Sequence, residues 1–199
     1  MLKIGITGGI GSGKTTACNI FGNLGVKIFY ADTEGRRLLN EDNGLKRKVK
    51  KVFGKDMYDL NGKLDRQRMS KLVFSNPNAL EELSALVHPK VNQVFEEWLL
   101  LHERKPYIIK EAAILFETGY YHNLDKIISV FAPKESRIQR VMKRDQVGKE
   151  EVERRMRFQY TDEERNKLAD FIIVNEDDTD LLPQVMELHE ILLNEVQHK

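Results

Sequence analysis

The chain has 199 residues, of which 41% are hydrophobic and 32% are charged, a composition typical of a globular protein with a buried core. Its 32 lysine and arginine residues nearly balance its 31 aspartate and glutamate residues, so composition gives no reason to expect nonspecific binding to nucleic acid or to an acidic membrane. The single cysteine, the lack of an apolar stretch of about 20 residues and the lack of a signal-peptide pattern predict a cytoplasmic location.

Short runs of β-branched and aromatic residues predict five strands. Each run is almost continuously apolar, as is typical of strands that are buried on both faces of a parallel sheet. Helical patterns separate the runs, which predicts an α/β fold with helices on both sides of the sheet. The predicted strands span residues 2–7, 26–30, 107–111, 126–131 and 170–174.

A glycine-rich segment, GITGGIGSGKTT at residues 5–16, joins the first predicted strand to a predicted helix. It contains the pattern G-x-x-x-x-G-K-[ST], in which backbone N–H groups surround phosphate oxygens and the lysine reaches the β and γ phosphates. The hydroxyl after the lysine can ligate Mg²⁺. The pattern therefore predicts a nucleoside triphosphate site with Lys14 as a catalytic residue and Thr15 as a metal ligand. The expected nucleotide contacts come from Gly11, Ser12, Gly13, Lys14, Thr15 and Thr16.

Asp32 follows the second predicted strand, at the edge where ligands bind to open α/β sheets. It is either a carboxylate placed beside an acceptor hydroxyl or the N-cap of the next helix. Glu111 ends the third predicted strand and is either a second Mg²⁺ ligand or a solvated strand end. Both residues are candidates because carboxylate oxygens suit Mg²⁺ and can orient a reacting hydroxyl.

Residues 31–106 separate the second strand from the third, far more chain than one crossover helix requires. This interval predicts an inserted helical subdomain, with one helix over 65–74 and another that begins at Pro77 after the cap residue Asn76. A further helix is expected to begin at Pro89, because the residue before a proline is pushed out of helical geometry. His88 should therefore lie at a joint between two helices, either as a structural residue or pointing into a cleft.

Three arginines follow the fourth strand at a spacing that places them on one stripe of a helix: Arg137, Arg140 and Arg144. Such a stripe is either a solvated face or the surface of a lid that meets an anion. No Asn-Lys-x-Asp pattern is present, which argues against a GTPase. A small-molecule kinase needs an acceptor subdomain, a carboxylate beside the acceptor and a cationic lid, and this chain has a candidate for each. A kinase for another small acceptor, such as a nucleoside monophosphate, and a nucleotide-switch protein remain alternatives.

The chain resembles the dephospho-CoA kinases in stretches that occur in the same order along the sequence. The stretches include ITGGIGSGKTT, LGVKIFYAD, NGKLDR, VHP, AILFE, IQRVMKRD, RMRFQ and LADFIIVN. The resemblance implies a P-loop kinase fold, with a five-stranded parallel sheet flanked by helices, a helical acceptor-binding insertion and a helical lid. It also implies transfer of the γ-phosphoryl group of ATP to the ribose 3′-hydroxyl of dephospho-CoA. Neither nucleic acid nor a membrane is expected as a partner, and the sequence leaves the oligomeric state open.

The resemblance also assigns roles to residues that match the family's motifs. Asp32 would orient or deprotonate the acceptor hydroxyl, and Arg66, His88 and Glu117 would contact the acceptor. The expected boundaries are a core over 1–31, 105–133 and 168–199, an acceptor domain over 32–104 and a lid over 134–167.

On the donor side, the resemblance implies that Arg140 closes on the phosphates and that Asn175 lies near the ATP base. The chain departs from the family at Tyr30, where an aspartate is frequent, and at Arg137, where glutamine is common. The sequence assigns no role to Arg137.

Overall fold

The computed structural model describes residues 1–197, so the last two residues of the expected core segment 168–199 lie outside the described part. Its strands are β1 (Leu2–Thr7), β2 (Lys27–Tyr30), β3 (Tyr107–Glu111), β4 (Lys126–Phe131) and β5 (Phe171–Val174). They form one parallel sheet in the order β2-β3-β1-β4-β5. The predicted five-stranded parallel sheet is confirmed.

Helices account for most of the remaining chain. They are α1 (Lys14–Asn23), α2 (Ala31–Glu41), α3 (Asn43–Phe53), α4 (Arg66–Val73), α5 (Pro77–Leu100), α6 (Lys134–Asp145), α7 (Lys149–Met156), α8 (Asp162–Leu168) and α9 (Leu181–Gln197). Within residues 1–197, none of these helices combines the length and the apolar character needed to cross a membrane.

The contacts divide the chain into two compact units. The core unit comprises residues 1–30 together with the chain from residue 102 onward, and the inserted unit comprises Ala31–Leu101. The core unit contains the whole sheet, α1 and helices α6 to α9, whereas the inserted unit is helical.

Strand β1 lies in the middle of the sheet, where Ile4 pairs with Ile109 of β3 and with Lys126 of β4. Its apolar side chains pack with those of α1 and α9 in one buried cluster. Because all the strands are parallel, their carboxyl ends share one edge of the sheet. Thr7, Glu111 and Val174 are the last residues of β1, β3 and β5, so the glycine-rich loop after Thr7 starts at that edge.

Helix α1 ends in a turn that aims the chain into β2. The N–H of Val26 donates to the carbonyl of Phe21 at 3.1 Å, and the N–H of Gly25 donates to the carbonyl of Gly22 at 3.0 Å. This Schellman pairing needs a left-handed residue, which Gly25 supplies with a φ of 86°. Phe21 and Val26 both belong to the buried cluster, so the turn is stabilised by apolar contact as well as by hydrogen bonds.

Polar caps start two helices of the inserted unit, of which the cap at Asn76 is the one that the sequence predicts. The Asn76 side chain accepts from the N–H groups of Asn78 and Ala79, with Pro77 in the first turn of α5. Asp65 caps α4 by accepting from the N–H of Arg68 at 3.0 Å. Each cap satisfies backbone donors that have no partner within the helix.

The prediction that a new helix begins at Pro89 is wrong. Helix α5 runs without interruption from Pro77 to Leu100, so His88 lies inside a helix rather than at a joint. A proline in a helix interior costs about 3 kcal/mol, because it lacks an N–H and crowds the preceding turn. Val91, Phe95 and Leu99 continue one buried stripe at helical spacing beyond the proline, and we infer that this packing offsets the cost.

Candidate active site

The loop between β1 and α1 has the backbone of a phosphate cradle. Gly11 and Gly13 have φ values of 80° and 95°, which side chains of L-residues rarely allow. A Cβ on Gly13 would also collide with the side-chain amide of Asn175, and a Cβ on Gly9 would collide with the guanidinium of Arg137. The glycines are therefore required both by the curvature of the loop and by the side chains that pack against its outer surface.

Lys14 opens α1 and is buried, with Nζ donating to the carbonyl of Gly8 at 2.8 Å. Burial raises the pKa of the Cys18 thiol, Glu111 raises it further and Lys14 lowers it. Lys14 and Glu111 therefore both influence the ionisation of the buried Cys18 thiol, one turn into α1, in opposite directions. Only 7% of Glu111 is exposed, so the alternative of a solvated strand end is wrong.

Three polar side-chain atoms around the loop are buried without a hydrogen-bond partner among the described residues. They are Oγ1 of Thr7, Oγ of Ser12 and Nη1 of Arg140. Leaving such a group unpaired costs about 1–3 kcal/mol. A phosphate group could supply acceptor oxygens to Oγ of Ser12 and to Nη1 of Arg140. These two donors therefore fit an anionic ligand.

The two predicted Mg²⁺ ligands, Thr15 and Glu111, both carry side-chain oxygen atoms. In the described part of the chain, no group of three or more His, Cys, Asp or Glu residues could hold a metal ion. Mg²⁺ keeps several waters and binds through one or two protein oxygens together with substrate phosphates. The side chains of Thr15, which is exposed, and Glu111 carry oxygen atoms of the kind that Mg²⁺ binds.

Arg140 and Asn175 meet beside the loop. The side-chain amide of Asn175 donates to the carbonyl of Ser12 at 2.7 Å, and the Arg140 guanidinium donates to the carbonyl of Asn175 at 3.3 Å. Arg140 also lies 3.6 Å from the carboxylate of Asp177. The fold brings Asn175 to the phosphate loop, because Asn175 directly follows β5 and the loop directly follows β1, both at the carboxyl edge of the sheet.

The three arginines of α6 have different surroundings, so they do not form one uniform cationic stripe. Arg137 is buried, donating to the carbonyl of Ala132 and to Asp162, and burial lowers the pKa of its guanidinium. Arg144 is exposed and pairs with the neighbouring Asp145. Arg140 is the member of this set with a buried, unpartnered nitrogen.

Glu117 lies in the core unit, on the loop that follows β3. Its Oε1 accepts from the N–H of Tyr160 at 2.7 Å, whereas Oε2 is buried without a partner in the described structure. One carboxylate oxygen is therefore held by the backbone, and the other has an unused capacity to accept a hydrogen bond.

The remaining predicted acceptor residues lie in the inserted unit. Asp32 is the second residue of α2, so it lies inside the helix and is not the N-cap that the alternative assumed. Arg66 is the exposed first residue of α4, and His88 lies in α5. Gly35 of α2 lies against Val87 of α5, so the helices that carry Asp32 and His88 are in contact.

Sequence reasoning missed the polar network that follows α7. Gln159 contacts the loop backbone, and Asp162 receives hydrogen bonds from Arg137 and Arg165. Arg165 is only 1% exposed. In the sequence it is one of many arginines in an acid-rich stretch, and only its tertiary contacts distinguish it from a solvated residue.

The chain is similar to known proteins over nearly its whole length. The family model for dephospho-CoA kinase matches residues 2–180. A dephospho-CoA kinase from Chlorobaculum tepidum is 39% identical over 203 residues, covering 98% of this chain and 97% of the relative. TT1252 from Thermus thermophilus superposes with a TM-score of 0.80 at 34% identity, covering 98% of this chain and 97% of that chain.

A second solved structure is named as a dephospho-CoA kinase. The dephospho-CoA kinase from Campylobacter jejuni superposes with a TM-score of 0.69 at 29% identity, covering 96% of this chain and 97% of that chain. The matches span both units and include the phosphate loop. The chain belongs to the dephospho-CoA kinase family, whose members phosphorylate dephospho-CoA with ATP to give coenzyme A.

Proposed function

We propose that this chain transfers the γ-phosphoryl group of ATP to the ribose 3′-hydroxyl of dephospho-CoA through the residues that surround its phosphate loop. The observation that carries the proposal is the set of unpaired buried donors at Ser12 and Arg140, beside a glycine-rich loop that starts a helix. A helix N-terminus with exposed N–H groups favours a bound phosphate.

The donor phosphates bind to Gly11, Ser12, Gly13, Lys14, Thr15 and Thr16 in this proposal. Lys14 exchanges the carbonyl of Gly8 for phosphate oxygens, and Arg140 donates to the transferring group. Asn175 fixes the loop at the side of the nucleotide base. Phosphoryl transfer needs mainly alignment and charge stabilisation, which these residues provide without forming a covalent bond.

Thr15 and Glu111 would hold Mg²⁺. The ion, when bound, neutralises negative charge on the phosphates. The support for this assignment is the oxygen donor set and the burial of Glu111 at the end of β3.

The acceptor side is assigned to four residues. Asp32 accepts a hydrogen bond from the 3′-hydroxyl and takes its proton as the new bond forms, while Arg66, His88 and Glu117 hold the rest of the acceptor. The position of Asp32 at the start of α2, directly after the carboxyl end of β2, supports this role, because ligands bind at that edge of open α/β sheets. Both substrates are small molecules of central metabolism, which supports a cytoplasmic location.

The decisive experiment compares Asp32→Asn with the unaltered chain in an assay of ADP release, with and without dephospho-CoA. We expect release to depend on dephospho-CoA, and Asp32→Asn to lose at least about 100-fold in kcat, as expected for loss of an acid–base group. Nucleotide affinity, measured by calorimetry, should change little. Glu34→Gln is the matched control, because it removes a carboxylate from the same helical turn and should retain turnover.

Each alternative predicts a different result. Release that depends on a nucleoside monophosphate instead would identify another small acceptor. Nucleotide binding without release under any acceptor would identify a switch protein. Full activity of Asp32→Asn would remove Asp32 from the mechanism.

A further inference from the structure

Gln159 lies in the segment between α7 and α8 and uses both ends of its side-chain amide. Its Oε1 accepts from the backbone N–H of Ile10 at 2.8 Å, and its Nε2 donates to the carbonyl of Ala113 at 3.0 Å. Ile10 is a residue of the phosphate loop, and Ala113 follows β3. One side chain therefore bridges the phosphate loop and the loop that follows Glu111.

The bond to Ile10 restricts how the phosphate loop can be arranged. A glycine-rich loop has an unusually large number of backbone conformations, and holding it in one of them costs conformational entropy. A peptide N–H that donates outward to Gln159 cannot rotate inward toward phosphate oxygens. The bond to Gln159 therefore selects one peptide orientation within the loop.

The segment that carries Gln159 is itself held at several points. The Tyr160 N–H donates to Glu117, and the Tyr160 ring stacks on Phe116 with ring centroids 6.4 Å apart. Arg165 donates to the carbonyl of Tyr160 at 2.5 Å and to Asp162 at 2.7 Å. These bonds limit the movement of the backbone next to Gln159.

Arg137 holds the neighbouring loop residue from α6. Its guanidinium packs so closely on Gly9 that a Cβ would not fit, and it donates to Asp162 at 2.5 Å. Asp162 thus accepts from both Arg137 and Arg165, two buried cations. Arg137 therefore contacts Gly9, and Gln159 contacts the next residue, Ile10. Arg137 is connected to the segment that carries Gln159 through Asp162 and Arg165.

We propose that Gln159 is a positioning residue for the phosphoryl-transfer reaction. It acts through Ile10 by holding the phosphate loop in the arrangement that receives the nucleotide. Arg137, Asp162 and Arg165 hold the segment that carries Gln159 in a fixed position relative to the phosphate loop. This role goes beyond the proposed substrate contacts and rests on the nucleotide half of the proposed function, not on the identity of the acceptor.

Gln159→Glu tests the role through its pH profile. An ionised carboxylate can accept from Ile10 but repels the carbonyl of Ala113, whereas a neutral carboxylic acid can accept from one and donate to the other, as the amide does. We expect kcat/KM for ATP to fall by about 10-fold or more at pH 8, the loss typical when one hydrogen bond between part-buried groups is broken. The ratio of variant to unaltered activity should rise as the pH is lowered toward 5. Charged groups of the surrounding segments are Glu117, Arg137, Asp162 and Arg165, and the ratio cancels their titration in the unaltered chain.

Gln159→Met has nearly the same volume but can form neither bond. It should lower kcat/KM for ATP to a similar extent at every pH, and it should weaken ADP binding measured by calorimetry, with KM for dephospho-CoA unchanged. Thermal unfolding, followed by circular dichroism, establishes that each variant is folded at the assay temperature.

Gln184→Glu is the matched control. The Gln184 amide also bridges a backbone donor and acceptor, the N–H and carbonyl of Val174, each at 2.9 Å, but it does not contact the phosphate loop. This variant should be less stable without a pH-dependent ratio in kcat/KM for ATP. Equal pH-dependent losses in both glutamate variants, or a pH-independent loss in Gln159→Glu, would overturn the positioning role. Loss of dephospho-CoA dependence in the unaltered chain would instead overturn the proposed acceptor.

Discussion

Several residues around the phosphate loop are buried although their side chains are charged. Lys14, Glu111 and Arg137 each have less than a tenth of their surface exposed. Buried charges are tolerated when they are paired or hydrogen-bonded, and Arg137 is paired with Asp162. At the scale of single residues, the loop region is therefore a site in which charge is held away from water, where electrostatic interactions are stronger.

Gly9→Ala should destabilise the protein through Arg137. A Cβ at position 9 would overlap the guanidinium, which can move away only by leaving Asp162. Separating a buried ion pair typically costs several kcal/mol, and partial relaxation leads us to expect about 2 kcal/mol in the free energy of unfolding, measured with urea.

A double-mutant cycle isolates the cause. Arg137→Ala removes the overlapping group, so Gly9→Ala should cost much less in that background than in the unaltered chain. Strictly additive effects would show that the cost of Gly9→Ala arises elsewhere.

The sequence predicts the donor-site residues more completely than the residues that support them. Lys14 and Ser12 belong to a local pattern whose chemistry follows from adjacent residues, and their roles stay predictions. Gln159 could not be assigned, because its partner Ile10 lies far away in the sequence and no spacing rule relates them. Arg137 was unassigned for the same reason.

At the scale of elements, local signals placed the start of α5 correctly and that of α4 within one residue, but they placed one helix boundary wrongly. Asn76 and Asp65 act as caps because a side-chain oxygen reaches nearby N–H groups within the same turn. Whether a helix ends at Pro89 is not decided by its sequence neighbours alone. Its effect depends on whether the residues beyond it gain enough burial to continue the helix, and Val91, Phe95 and Leu99 do.

Two glycines at the end of α1 should respond oppositely to alanine. Gly22 is helical and a Cβ there would meet nothing within 4 Å, so Gly22→Ala should raise the free energy of unfolding by about 0.5–1 kcal/mol. Gly25 also has open space but a φ of 86°, so Gly25→Ala should lower it by about 1 kcal/mol. Urea unfolding of both variants checks the pair, and a stabilising Gly25→Ala would contradict the assigned turn.

At the scale of the whole molecule, burial links stability to alkaline pH. Burial raises the pKa of the thiol of Cys18 and of the hydroxyl of Tyr107, and it raises the pKa of Tyr58 to about 12. In the unfolded chain these groups ionise at their ordinary pKa values, of which that of cysteine, about 8.5, is the lowest. The folded state then holds more protons than the unfolded state, so stability falls as the pH rises above that value.

Cys18→Ala should flatten the first part of this decline. A group that is ionised only in the unfolded chain contributes a slope of about 1.4 kcal/mol per pH unit. We therefore expect the variant to lose less stability than the unaltered chain between about pH 8.5 and 10, as measured by guanidinium unfolding at several pH values. The variant also loses buried packing at position 18, which lowers its absolute stability, so the slopes are compared. Parallel slopes would show that the Cys18 thiol ionises equally in both states.

The sequence by itself determined the parallel sheet, the phosphate loop and the family. These features depend on the apolar character of short runs and on residues that act together within a few positions, which a linear pattern records. Its resemblance to the dephospho-CoA kinases covers both the loop and the more distant motifs, and the family comparisons confirm it.

Only the tertiary structure decided which polar residues support the site. Strand order brought Asn175 beside Ser12, and packing after α7 brought Gln159 to Ile10 and Asp162 between two buried arginines. It also decided that α5 continues through its proline. The physical reason is common to all three: each depends on burial and partners supplied by residues distant in the chain, whose contributions no local spacing encodes.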